Sequence, residues 1–204
     1  MTMETRKSIQ DAIAQFRQHG GALRTATALR LGIHPRTLYR MRDSGVLERL
    51  SRGLYRLAEL PPLSNPDLVT VALKVPQAVI CLVSALAFHE LTTQVPHTVD
   101  VALRRGSGHP RLEHPPLRIF WFSGSAWSEG IETHPLDDVP VRIYGPAKSV
   151  ADVFKYRAKI GLDVALDALK QYRRHDSFDV SELLHYARIC RVEKVMKPYL
   201  EALL

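Results

Sequence analysis

The side chains best suited to binding chemistry lie in residues 35–43, where two apolar residues stand among polar ones. At about 100° per residue, Leu38 and Met41 share one face of a helix. The opposite face and its flank carry groups that can hydrogen-bond to base edges and phosphates, namely Arg36, Thr37, Tyr39 and Arg40. The pattern predicts a helix that is apolar inward and polar outward, which suits a DNA major groove.

Motifs for catalysis are missing from the sequence. None of the eight lysines has Asp or Glu two positions before it, as a nuclease of the Asp…(Asp/Glu)-x-Lys type requires, and the Asp-x-Asp that would hold two metal ions in a nucleotidyltransferase does not occur. Neither His-Glu-x-x-His nor Gly-x-x-x-x-Gly-Lys is present. His109, Glu113 and His114 share one loop and could hold a metal only adventitiously. We therefore predict no catalytic residue, no cofactor and no metal site.

The neighbouring elements must position the helix over residues 35–43. Gly32 permits a tight left-handed turn, and Pro35 suits the first helical position, whereas His34 is a weaker N-cap than Ser or Thr. Thr25 is expected to cap the preceding helix. The predicted order is helices over 3–19, 26–31 and 35–44, then strands over 46–50 and 54–57. Three helices followed by a hairpin predict a winged helix-turn-helix.

The positive charge of the chain is concentrated in its first quarter. The whole chain has a net charge of +7, and residues 1–57 hold eleven basic and four acidic residues, which account for all of it. The remaining seventeen basic and seventeen acidic residues cancel. A basic head on a neutral body is the electrostatic footprint of a nucleic-acid-binding domain, and ten of the eleven basic residues are arginines, which bind phosphate and guanine bidentately.

The recognition helix and the hairpin give specific DNA-binding candidates. Arg36, Thr37 and Arg40 are the candidates for base edges, because the N-terminal half of a recognition helix enters the groove. Tyr39 could reach a phosphate or cover the hairpin. Arg52, at the tip of the hairpin, would lie over an adjacent phosphate or the minor groove. Backbone contacts or solvated charge are expected of Arg24, Arg30 and Arg42.

The rest of the chain predicts a second, α+β domain. Residues 61–66 (Pro-Pro-Leu-Ser-Asn-Pro) are the natural linker, so we assign residues 1–60 to the winged helix-turn-helix domain and 61–204 to a mixed-sheet domain with a C-terminal helical layer. A buried strand is predicted over 79–83, with Ser84 capping a helix over 85–91. Further strands are predicted over 98–103, 117–122, 131–134 and 141–144, and helices over 66–74, 126–129, 147–157, 162–174, 180–189 and 192–203.

Composition places the protein among cytoplasmic proteins. No apolar run approaches the ~20 residues needed to span a bilayer, and residues 1–20 are polar without an apolar signal-peptide core. Cys81 and Cys190 lack metal-ligand spacing and are expected to be reduced core cysteines.

Four stretches of the chain resemble the AbiEi-like type IV antitoxin family of transcriptional regulators. They are residues 45–55, 83–91, 96–103 and 144–154. The resemblance implies a winged helix-turn-helix that binds inverted repeats in double-stranded DNA upstream of its own operon and represses it. It also implies an antitoxin domain that counters a nucleotidyltransferase-like toxin without forming a stable complex with it.

Three other interpretations stay compatible with the residues. A stand-alone regulator without a toxin fits every motif, and a protein-interaction module could use the basic head to dock on an acidic partner. An enzyme, of which a metal-dependent nuclease using Asp100 is the most plausible kind, is the third interpretation. Residues 61–204 contain no sequence motif that indicates antitoxin activity.

Overall fold

The computed structural model describes residues 3–203, with side chains from Lys7 onward. The fold is α+β, as predicted. The chain divides into two compact units: the first runs up to Pro76 and includes Arg111–Pro115 and Pro135–Pro140, and the second takes the rest. The domain boundary predicted between residues 60 and 61 stays a prediction. None of the helices within residues 3–203 is both long and apolar enough to cross a membrane.

The first unit is a winged helix-turn-helix followed by one more helix. Its elements are α1 (Met3–Gln18), β1 (Ala22–Arg24), α2 (Thr25–Arg30), α3 (Pro35–Asp43), β2 (Leu47–Ser51), β3 (Leu54–Leu57) and α4 (Pro66–Lys74). The three strands form an antiparallel sheet in the order β1-β3-β2. The helices and the sheet enclose one apolar core, in which Phe16, Ala28, Leu38 and Met41 are fully buried. The apolar face predicted for α3 is thus the face that packs inward.

Two local predictions in the first unit are corrected by the structure. Strand β1 was not expected, because three residues are too short to show a period; it forms because β3 supplies the hydrogen-bonding partner. Thr25 is not the N-cap of α2: it is the first helical residue, and its N–H donates to Gly53 O at 2.9 Å. The N-cap position belongs to Arg24, whose side chain makes no capping hydrogen bond. The start of α2 is therefore fixed by the turn between β2 and β3.

The remaining elements are the five strands of a mixed sheet and the helices that follow and connect them. They are β4 (Val79–Ile80), α5 (Leu82–Phe88), β5 (Val99–Arg104), β6 (Leu117–Phe122), α6 (Ser125–Ser128), β7 (Ile131–Leu136), β8 (Val139–Tyr144), α7 (Pro146–Lys155), α8 (Arg157–Ile160), α9 (Leu162–Arg174), α10 (Val180–Ile189) and α11 (Glu193–Glu201). The strand order is β6-β5-β4-β8-β7, with β4 antiparallel to β5 and parallel to β8, and with β5 parallel to β6. Strand β7 is one edge of this sheet.

The strand predicted over residues 79–83 is only two residues long. It stops at Ile80, and α5 begins at Leu82, two residues before the predicted cap Ser84. The side chain of Asp100 explains the change, because its Oδ2 accepts the N–H of Val83 at 3.1 Å. This tertiary contact outweighs the β propensity of the local sequence.

Helix α7 is the centre of the helical layer. All of its residues from Ala147 to Phe154 are buried, and α5, α9 and α10 pack against it. A helix buried on every side must pair its polar groups internally. Lys148 Nζ accordingly lies 2.5 Å from Asp152 Oδ2, and the Cys190 thiol donates to Asp152 Oδ1 at 3.1 Å. Burial raises the pKa of Asp152, while the Lys148 ammonium opposes that rise.

The two cysteines are free and buried, as predicted. Burial raises the pKa of Cys190 to about 12 and raises that of Cys81 as well. Both thiols are therefore protonated at neutral pH and behave as core residues.

Candidate nucleic-acid interface

The turn between α2 and α3 is closed by two backbone hydrogen bonds around Gly32. The N–H of Gly32 donates to Leu29 O at 3.1 Å, and the N–H of Ile33 donates to Ala28 O at 3.0 Å, which is the Schellman pattern for a helix C-terminus. Gly32 has φ +85°, and a Cβ there would meet no atom within 4 Å. The glycine is therefore required for its backbone angle and not for space.

Helix α3 begins with a histidine cap that the sequence did not favour. His34 is extended, at φ −66° and ψ 140°, and its Nδ1 accepts the N–H of Arg36 at 3.1 Å. Pro35 occupies the first helical position, where its missing N–H leaves no donor unpaired. A histidine ring can replace the usual Ser or Asp oxygen because its neutral form keeps one nitrogen lone pair. This contact fixes the end of α3 that would enter a groove.

The inner side of α3 is held at both ends. Leu38 and Met41 are completely buried, and Thr37 Oγ1 lies 2.9 Å from Ser8 Oγ on α1. The helix ends at a second Schellman turn, in which Gly45 N–H donates to Arg42 O at 3.1 Å. Thr37 is therefore a hydrogen-bonding link to α1 as well as a candidate for base contact.

The outer side of α3 presents the two arginines that the sequence singled out. Arg36 and Arg40 are exposed, and neither guanidinium makes a hydrogen bond or an ion pair with any residue described in the structure. Tyr39, which lies between them in the sequence, is 44% exposed. An exposed guanidinium that is unpaired in this way loses no internal contact when it binds a base edge or a phosphate.

Arg42 and Arg24, two of the remaining candidates, have internal partners. Arg42 donates to Asp43 Oδ1 at 2.8 Å, which raises the pKa of Arg42, and its guanidinium lies 5.1 Å from the centre of the Tyr39 ring. Arg24 donates through Nε to Leu73 O in α4, and burial lowers the pKa of Arg24. Arg24 and Arg42 therefore differ from Arg36 and Arg40, whose guanidinium groups have no partner among the described residues.

The wing carries a second basic surface. Arg52 lies in the turn between β2 and β3, and its Nη1 is 3.4 Å from Glu113 Oε1 with both side chains well exposed. Such a pair is worth at most ~1 kcal/mol, so a phosphate could replace the glutamate. Lys74 Nζ donates to Arg52 O at 2.7 Å, which brings a lysine of α4 to the wing tip. Neither residue pattern nor spacing could have placed Lys74 there, because the contact spans 22 residues of sequence.

The positive charge on the surface of the first unit is smaller than the number of basic residues in its sequence indicates. Arg56 is buried with 6% of its surface exposed, and it donates to Glu48 Oε1 at 2.9 Å and to the carbonyl of Pro61. It stabilises the sheet and the following chain and is not available to DNA. Arg49 on β2 is exposed and was not among the candidates. Arg56 therefore does not contribute to the exposed charge of the first unit, whereas Arg49 does.

The groups considered for catalysis do not form a site. Glu113 pairs with Arg52, whereas the Nε2 of His114 lies 3.7 Å from Asp67 Oδ1, so the loop residues His109, Glu113 and His114 are engaged separately or solvated. Asp100 is fully buried, and its two oxygens accept Nε and Nη2 of Arg118 at 2.6 and 2.7 Å. A carboxylate paired in this way has no accessible oxygen for a catalytic Mg²⁺, which argues against the nuclease interpretation.

The comparison with known families agrees with this geometry. Residues 11–58 match a family model described as "Transcriptional regulator, AbiEi antitoxin". The matched region begins within α1 and ends just after β3, so it coincides with the winged helix-turn-helix. The AbiEi-like resemblance is thereby confirmed over these residues. A search of curated proteins found no match.

We predict that His34→Ala lowers the free energy of unfolding by about 1 kcal/mol, since it removes the acceptor for the first turn of α3. His34→Asn should retain the stability, because Asn is a preferred N-cap. Urea denaturation of the two variants and the wild-type chain measures both effects. Equal stability of His34→Ala and the wild type would show that the cap is not needed to start α3.

Proposed function

We propose that this protein, whose residues 11–58 match the AbiEi antitoxin family of transcriptional regulators, is a sequence-specific DNA-binding repressor in the cytoplasm. The observation that carries the proposal is the arginine pair on α3, Arg36 and Arg40, which is exposed and has no side-chain partner among the residues that the structure describes. They project from a short helix whose position is fixed by the Gly32 turn and the His34 cap. Helices of this kind in helix-turn-helix proteins read base edges with their N-terminal residues.

The role proposed for each basic residue follows from whether its side chain has a partner among the described residues. Arg36 and Arg40 would form bidentate contacts with guanine, the commonest specific contact of arginine with DNA. Arg52 and Lys74 would bind phosphates beside the groove and so position α3 without reading sequence. Thr37, Tyr39, Arg24 and Arg42 would contribute from the flanks of this surface.

Autoregulation through inverted repeats is the form of repression that we propose. It rests on the family resemblance, in which the regulator binds repeated sites upstream of its own operon. Two protomers would then occupy the two half-sites, each with one α3 in the major groove.

We predict that Arg36→Ala or Arg40→Ala weakens binding to the DNA upstream of the gene by about 1–3 kcal/mol, or roughly 5- to 150-fold, if each arginine contacts a base bidentately. Arg52→Ala should weaken binding to operator and unrelated DNA by similar factors, since it contacts phosphate. Gel-shift titrations on both DNAs measure these effects. Arg173→Ala is the matched control, because Arg173 is an exposed arginine on α9.

Operator binding by Arg36→Ala and Arg40→Ala that is as tight as that of the wild type would contradict the assignment of α3. The rival class, an interaction module, makes a different prediction. It would bind an acidic protein and show no preference among DNA sequences. A repressor should instead lose affinity steeply as salt is raised, because phosphate neutralisation releases counterions.

The antitoxin half of the proposal concerns residues 61–204. The family resemblance supports it, and the toxin would be a nucleotidyltransferase-like protein encoded beside this gene and countered without a stable complex. Co-expression tests the idea: the chain should restore growth of cells that express the neighbouring reading frame. The double variant Arg36→Ala/Arg40→Ala should restore growth equally, because its DNA-binding defect leaves residues 61–204 unchanged. A neighbouring gene whose toxicity the chain does not relieve would leave a stand-alone regulator as the function.

A further inference from the structure

Three potential metal ligands converge in the second unit. They are His89, the residue after α5, and Glu132 and His134, both on β7. One ligand atom from each residue lies within 4.8 Å of the other two. Among residues 3–203, this is the one group of three or more His, Cys, Asp or Glu side chains in such an arrangement.

The backbone accounts for the convergence. Glu132 and His134 are two residues apart on a strand, so their side chains point to the same face. His89 reaches them because its Nε2 bonds Tyr144 O on β8 at 2.9 Å. A bond to a carbonyl requires the proton on Nε2 and leaves the lone pair on Nδ1. Histidines that ligate metals are oriented by this same kind of hydrogen bond to a carbonyl or carboxylate.

The other two ligands are already paired with each other. His134 Nε2 lies 2.9 Å from Glu132 Oε2, and a metal ion could take the place of the shared proton. The Glu132 carboxylate is seated against Gly145, where any Cβ would collide with it. Phe88 covers one side of the cluster, with ring centres 5.1 Å from His89 and 4.8 Å from His134. The cluster therefore has an apolar wall, a positioned carboxylate and an oriented imidazole.

We propose that His89, Glu132 and His134 form a zinc site. Two imidazoles and one carboxylate are the donors of many zinc centres, in which water takes the fourth position. Ligand atoms in a tetrahedral zinc site lie about 3.4 Å apart, so small side-chain rotations suffice to close the present group. The bound ion ties the end of α5 to β7, the edge strand of the mixed sheet. Its role is to fasten this edge.

The sequence predicted no metal site, and the reason is clear from the structure. His89 stands 43 residues before Glu132 in the sequence, so no short motif joins the ligands. The proposal is independent of DNA binding and of antitoxicity.

Isothermal titration of the full, tag-free chain with Zn²⁺ tests the proposal. After treatment with a chelator and buffer exchange, the wild type should bind one Zn²⁺ ion, and added zinc should raise the unfolding temperature because it binds only the folded state. His89→Gln, Glu132→Gln and His134→Gln should each weaken zinc binding by at least about tenfold. Co²⁺ should give the intense visible absorption of a tetrahedral site in the wild type and lose it in His134→Gln.

His185→Gln is the matched control for this experiment. His185 Nε2 lies 3.0 Å from Glu129 Oε2, which reproduces the His134–Glu132 pair without a third ligand. Its variant should bind zinc as the wild type does. Circular dichroism in the absence of zinc shows whether each variant is folded. If a histidine variant does not fold, Glu132→Gln still tests the proposal, because Glu132 lies at the surface. Absence of one-to-one binding by the wild type, or wild-type affinity in the folded ligand variants, would overturn the proposal.

Discussion

The left-handed backbone of Gly32 is the constraint on which the candidate DNA-binding surface depends. It lets the N–H groups of Gly32 and Ile33 close the end of α2 within one turn, so that only four residues separate α2 from α3. Burial of Ile33, Leu38 and Met41 then fixes the rotation of α3 about its axis. With the direction and the rotation both determined, Arg36 and Arg40 have one orientation relative to the wing. A β-branched or bulky residue at position 32 would have to adopt a left-handed conformation that costs roughly 1–2 kcal/mol.

Periodicity predicted the elements that have their own apolar face. Helices α9 and α10 match the predicted bounds, as does β6, because their apolar residues recur at helical or strand spacing. Elements that depend on a distant partner were missed or altered. Strand β1 exists through β3, and the strand over residues 79–83 is cut short by the side chain of Asp100.

The same distinction applies to the candidate interface. Helical geometry sufficed to place Arg36 and Arg40 outward, since the opposite face of α3 is apolar. The partners of the other arginines are set by the fold: Arg24 bonds the carbonyl of Leu73, which is 49 residues away, and Arg56 bonds that of Pro61 in the segment after the hairpin. A sequence count treats every arginine as equally free, whereas the fold commits some of them to packing. The cap formed by His34 is not predictable from residue type, because Ser, Thr, Asp and Asn are the preferred N-caps.

The interior of the second unit contains two buried carboxylates that are each paired with a cation. Helix α7 lies at its centre with the Lys148–Asp152 pair, and Arg118 neutralises Asp100 at the sheet. Removing one partner of such a pair leaves a buried charge alone, which commonly costs 3–5 kcal/mol. The group His89, Glu132 and His134 differs because its members are partly accessible. It is the cluster for which we propose zinc binding.

Selection of DNA by the full chain from a random duplex library tests directly whether α3 is a recognition helix. Selection at physiological salt suppresses non-specific electrostatic binding, so the sequences that survive report base contacts by α3. We expect an inverted repeat to be enriched, to occur upstream of the gene, and not to be enriched when the Arg36→Ala/Arg40→Ala variant is used. Recovery of sequences no different from the starting library would contradict the claim that α3 is a recognition helix.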